Sequence, residues 1–117
     1  MINVLGKRVY LACGRTDMRK NINGLAAIIE GSFKLNPFDE ALFLFCNRNR
    51  DRVKILEWDD DGFWLYCKRL EKGHFRWPAP GEEATMALTG DELQILLSGN
   101  RVELKLKRGT VTERKII

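Results

Sequence analysis

A metal-dependent nuclease needs two or three carboxylates converging on divalent ions, so the acidic residues come first. The densest acidic run is Asp59-Asp60-Asp61. Gly62 follows it, and that composition suits a tight turn, because Asp and Gly accept the backbone angles that reverse a chain. Asp39 with Glu103-Leu104-Lys105 superficially matches the Asp…Glu-x-Lys arrangement of some nucleases. Alternating charge on an exposed strand produces Glu-x-Lys without any site. Cys13, Cys46 and Cys67 form no CxxC pair, and His74 is the single histidine, which disfavours a zinc finger, a multi-His metal centre or a His-based triad. No glycine-rich phosphate loop is present. The expectation is no catalytic residue, no metal and no cofactor.

The cations offer more. Arg48, Arg50, Arg52 and Lys54 alternate through an expected hairpin tip and into a strand. In extended chain every second side chain points the same way, so these four are expected along one edge. Arg15, Arg19 and Lys20 form a second basic cluster, and Lys68, Arg69 and Lys72 a third, with Trp64, Tyr66, Phe75 and Trp77 interleaved. Arginine presents forked donors to phosphate, and an exposed aromatic face can stack on an unpaired base. Most of these aromatics are expected in the core. The net charge of +4 hides basic segments at residues 1–20, 47–58, 62–80 and 101–117, separated by acidic ones. Basic blocks of this kind suit a polyanion if they meet in space, and otherwise are solvated strand edges and loops.

The elements that must position these groups follow from pattern. Arg8–Cys13 reads as a strand stopped by Gly14. Thr16 or Asp17 offers an N-cap for a helix near residues 17–33, with Ile22, Leu25, Ala26, Ile29 and Phe33 on one stripe and Asn36-Pro37 closing it. This placement puts Arg19 and Lys20 in the first helical turn, where cations oppose the helix dipole. Gly24 inside the stripe marks a kink or a close contact. The apolar run 41–46 reads as a strand buried on both faces. Strands at 52–58, 63–70 and 74–77 follow with short connections, and 84–88 could add another. Thr89-Gly90-Asp91-Glu92 opens a second helix as a capping box, and Gly99 closes it. Residues 102–107 alternate as a last strand. The expected fold is α+β: an antiparallel β-meander sheet with two helices packed on it.

With 117 residues, 44% hydrophobic and 31% charged, the composition is that of one globular domain. No apolar run approaches the roughly 18 residues needed to span a bilayer. The amino terminus lacks the pattern of a secretory signal, so a cytoplasmic, reduced setting is expected.

Three blocks of residues also resemble a known family. The first is Leu11-Ala12-Cys13-Gly14-Arg15-Thr16-Asp17-Met18-Arg19-Lys20 followed by Gly24-Leu25-Ala26. The second joins Pro37-Phe38-Asp39 and Leu42–Phe45 to an Arg-rich loop and Val53–Asp59. The third runs from Gly62 through Lys68–Pro78 to Leu88-Thr89 and 93–97. Together they resemble the TnpB (second open reading frame) accessory protein of insertion-sequence-66-type bacterial transposons, over about residues 4–98, with a divergent basic tail at 99–117. The resemblance implies a non-catalytic helper of a separate transposase, with transposon-end DNA and that transposase as partners and no membrane. It carries over no catalytic residue. Two readings stay open: DNA binding through the basic residues, or an adaptor that contacts the transposase alone; a metal-dependent nuclease is a minor third.

Overall fold

The apolar run Ala41–Cys46 becomes the middle strand of a five-stranded sheet, buried along its whole length. The computed structural model describes residues 4 and 6–99. In chain order the elements are β1 (Arg8–Ala12), α1 (Ile22–Gly31), β2 (Ala41–Cys46), β3 (Arg52–Asp59), β4 (Gly62–Arg69), β5 (Thr85–Leu88) and α2 (Gly90–Leu97). The sheet order is β4-β3-β2-β1-β5. This is an α+β arrangement with a mixed sheet.

The sheet is not wholly antiparallel. β1 and β2 pair in parallel, Leu11 opposite Leu44, while the β2–β3, β3–β4 and β1–β5 pairs are antiparallel. The reason is α1: a helix carries the chain back across the sheet, so the next strand starts at the same end as β1. The meander holds from β2 to β4.

Alternation divides the core. Leu11, Leu42, Leu44, Cys46, Val53 and Ile55 point to one face, where Leu93 and Leu96 of α2 pack together with Phe75 and Trp77. Phe43, Phe45 and Leu56 point to the other, under Leu25 and Ile29 of α1. Full burial of each such side chain contributes about 1.5–3 kcal/mol.

Three local expectations need correction. α1 starts at Ile22 with Asn21 as its cap, the Asn21 carboxamide accepting from Gly24 N at 3.1 Å. Thr16 and Asp17 are not caps: Asp17 accepts from Arg19 N at 2.9 Å and so closes a small turn of its own. Arg19 and Lys20 therefore precede the helix and do not occupy its first turn. Residues 74–77 are not a strand, although Phe75 and Trp77 are buried between exposed His74 and Arg76. Their hydrogen bonds leave the sheet: Phe75 N donates to Arg50 O at 2.6 Å and the Trp77 indole N–H to Ala12 O at 2.7 Å. The segment is a strap across the end of the sheet. The expected strand at 102–107 and the residues Glu103 and Lys105 lie outside the described residues.

α2 begins as the sequence indicates. The Thr89 hydroxyl accepts from Glu92 N at 3.1 Å, and the Glu92 carboxylate accepts from Thr89 N at 2.9 Å. Gly99 follows the helix at φ +84°.

Candidate nucleic-acid interface

β1 and β2 finish, β3 begins and β4 finishes at one end of the sheet. That topology gathers three basic segments from distant parts of the chain: 14–20 after β1, the β2–β3 loop 47–51 with Arg52 at the start of β3, and 67–72 at the end of β4 and just beyond it. Side chains of these segments line three adjoining clefts. The largest, about 800 Å³, has Arg15, Arg48 and Arg52 in its wall with Thr16, Asp17, Met18, Asn47 and Asn49. A second, about 450 Å³, lies between Met18 and the β3–β4 pair and is lined by Arg52, Lys54, Cys67, Lys68 and Arg69. The third, about 290 Å³, sets Arg15, Arg48 and Arg50 against Trp77, Pro78 and Pro80.

The loop 47–51 is built on one side chain. The Asn47 carboxamide oxygen accepts from Asp51 N and Arg52 N, each at 3.0 Å, and its NH₂ donates to the Asp51 carboxylate at 2.7 Å. Arg50 takes a positive φ of 59° within this curl. Extended alternation therefore stops at the loop. Arg52 and Lys54 share the α1 face of the sheet, Arg48 meets Arg52 in the largest cleft, and Arg50 turns to the strap. The expected single row of four is replaced by a curved surface.

Several of the cations already have partners. The Lys54 ammonium donates to the carbonyls of Met18 at 2.7 Å and Lys20 at 2.9 Å, which ties the segment before α1 to β3. The Lys68 ammonium donates to Leu97 O at 2.7 Å, at the C-terminus of α2, where a cation complements the helix dipole. Arg69 pairs with Glu71 at 2.9 Å. Arg19 grips Asp17, with closest approach 2.7 Å, and this hydrogen bonding holds the Asp17 carboxyl well below the usual carboxylate range. Lys20 lies over Gly24, where an added Cβ would come within 3.2 Å of the lysine stem; the glycine marks a close contact. Arg19, Lys20 and Lys72 line none of the three clefts.

Arg15, Arg48, Arg50 and Arg52 are exposed and form no ion pair among the described residues. Arg52 also stands opposite Arg69 across the β3–β4 ladder, a like-charge pairing that disfavours the sheet unless an anion or Glu71 offsets it. The aromatics do not join this surface as exposed platforms. Phe75 and Trp77 are buried, and Trp64 is 55% exposed but donates its indole N–H to Asp59 towards the far end of the sheet. Asn47, Gly14 and Pro80 are absent from the sequence-based candidates. Asn at the mouth of a short polar loop was the available signal for the first.

Among the described residues no three His, Cys, Asp and Glu side chains are grouped to hold a metal ion. No described helix is long and apolar enough to cross a membrane. The Cys46 thiol is pushed up to about 12 by burial, and Cys13 is raised by burial and by Glu83.

Compared with known proteins, the chain matches the family described as IS66 Orf2 like protein over residues 7–107. It is 40% identical over 92 residues to the uncharacterized protein y4hO of Sinorhizobium fredii (strain NBRC 101917 / NGR234), an alignment covering 79% of each chain. The uncharacterized protein y4jC of the same strain is 31% identical over 109 residues, or 90% of this chain and 92% of the relative. No solved structure matches it.

Proposed function

The chain belongs to the IS66 Orf2-like family, and on that premise we propose that it is a non-catalytic accessory protein of transposition that binds DNA phosphates through the basic end of its sheet. One observation carries the reading: Arg15 from the loop after β1, Arg48 from the β2–β3 loop and Arg52 from the start of β3 meet in the wall of one open cleft, and none has an ion-pair partner among the described residues. Three forked cations held that way suit a row of phosphates better than a single carboxylate. The proposed partners are transposon-end DNA and the element's transposase, and the proposed setting is the cytoplasm.

The test is a mobility-shift titration of transposon-end and random DNA at several salt concentrations. Each phosphate contact contributes about 0.9 to the log–log salt slope. The variant R15A/R48A/R52A is expected to flatten that slope by about two to three and to weaken binding to both DNAs alike, because phosphate contacts carry no base information. Its thermal unfolding is expected to change little, since exposed charges usually matter by less than about 0.5 kcal/mol each. An unchanged affinity and slope would reject phosphate contact.

The adaptor reading has its own support at the other end of the sheet. Among the described residues Phe38 and Trp64 are the large apolar side chains left exposed, at 52% and 55%. Phe38 packs on Trp58 and Phe63 with ring centroids 4.9 Å and 5.4 Å away, close to the carboxylates of the β3–β4 turn. If the triple variant behaves as wild type on DNA, this aromatic patch is the surface to test against the transposase.

A further inference from the structure

Duplex phosphates do not need an apolar cavity, yet the smallest of the three clefts is one. Its floor and wall are Trp77, Pro78 and Pro80, and its rim carries Arg15, Arg48 and Arg50. At about 290 Å³ it lies at the lower limit of small-molecule sites, room for one flat ring system and no more.

The walls are fixed before any ligand arrives. Gly14 has φ +78°, and a Cβ there would lie 3.3 Å from the Pro80 ring, so the glycine lets that ring close against β1. Gly14 N donates to Pro78 O at 3.0 Å, and Phe75 N to Arg50 O at 2.6 Å, which ties the strap to both loops that supply the arginines. His74 Nδ1 adds a contact to Asn49 O at 2.7 Å, with the ring proton on that nitrogen. A preformed cleft loses little entropy on binding.

We infer that this cleft receives one unpaired nucleobase, lying against the Pro78–Pro80 wall while Arg15, Arg48 and Arg50 hold the phosphates on either side. The inference rests on the DNA-binding reading and narrows it to a substrate class: single-stranded DNA or a duplex with an unpaired end. A base offers an apolar face and lies within reach of two phosphates, which matches an apolar wall rimmed by unpaired cations. With the three arginines placed on phosphates, the polar side-chain groups left in the frame are the Asn47 carboxamide and the Trp77 indole N–H. The Asn47 oxygen accepts from Asp51 N and Arg52 N, one N–H of its amide donates to the Asp51 carboxylate, and the Trp77 N–H donates to Ala12 O. Recognition is therefore sequence-tolerant.

The experiment compares a blunt 20-base-pair duplex with the same duplex carrying a five-nucleotide single-stranded overhang. Wild type is expected to bind the overhang DNA about tenfold more tightly, the low end of what one stacked base contributes. Pro80→Ala removes part of the wall and leaves every arginine, so the preference should fall to within about twofold while the salt slope is kept. Ala79→Asp, an exposed position, should do the same by placing an anion beside the base, and serves if Pro80→Ala unfolds. Equal binding of both DNAs by wild type, or a preference that survives both variants, overturns the cleft assignment and leaves phosphate binding standing. Failure to bind either DNA at low salt overturns the DNA-binding reading itself.

Discussion

Gly14 sits at φ +78° against the Pro80 ring, whereas Gly31 at the end of α1 has open space around it. The two glycines should respond oppositely to alanine. Gly14→Ala enforces the left-handed region on a residue with a Cβ and is expected to lower stability by about 1–2 kcal/mol. Gly31→Ala is expected to raise it by about 0.5–1 kcal/mol, through helix propensity and a less disordered unfolded chain. Urea denaturation of both variants measures the contrast; equal effects would show that the strap does not depend on Gly14. A second residue-scale prediction concerns Tyr66, whose hydroxyl donates to Glu57 at 2.7 Å while Lys7 pairs with the other Glu57 oxygen at 2.6 Å. Burial and then the Glu57 contact push the phenol up from 10 to about 12. A folded-state value above the unfolded one means stability that is complete below pH 10 and lost as pH rises towards 12. Denaturation midpoints of wild type should therefore fall across that window relative to Tyr66→Phe, and parallel profiles for the two proteins would contradict the assignment.

Helix and strand boundaries were legible wherever a local rule was strong enough to act alone. The capping box at Thr89 and the doubly buried run 41–46 are such cases, because cap chemistry and an unbroken apolar run each leave one solution. α1 was harder: Asp17, Thr16 and Asn21 are all good cap residues, and the choice went to Asn21 because Asp17 is occupied by Arg19. Asn21→Ala and Thr89→Ala should each cost about 1 kcal/mol in thermal unfolding, and Asp17→Ala much less. A larger loss at Asp17 than at Asn21 would return the cap to the earlier residue. The parallel β1–β2 pair was readable in principle, since a helix between neighbouring strands requires a crossover. The strap 74–77 was not: its burial alternates with the period of a strand, but Pro78 and Pro80 cannot donate to a ladder, and Phe75 and Trp77 find acceptors in Arg50 and Ala12. That the basic segments would share one end of the sheet depended on strand order, which charge patterning does not encode. For the same reason Lys54 and Lys68 read as free cations in the sequence, although their carbonyl partners lie 29 or more residues away.

Among the described residues the two ends of the sheet differ in their balance of charge. Opposite the three basic clefts, the start of β2 and the β3–β4 turn bring Asp39, Glu40, Asp59, Asp60 and Asp61 to the other end of the sheet, where Arg8 and the Glu57-bound Lys7 are also placed. Such a separation orients the protein during approach to a polyanion, basic end first, over roughly a Debye length of 8–10 Å. The orientation can be read chemically through Cys67, which is exposed in the cleft beside Arg52 and Arg69. At pH 8 a thiol-alkylating reagent should label Cys67 first, since Cys46 is buried with its thiol raised to about 12 and Cys13 is half-buried and also raised. If DNA seats on the basic end as proposed, saturating duplex should slow Cys67 labelling several-fold. The same DNA should leave labelling of a cysteine at the acidic end, Asp61→Cys in a Cys67→Ser background, unchanged. High salt should restore the Cys67 rate as the complex dissociates. Equal protection at both ends would mean that DNA is held without a preferred face, and protection of the acidic end alone would place the contact on the wrong side of the sheet for any role of Arg15, Arg48 and Arg52.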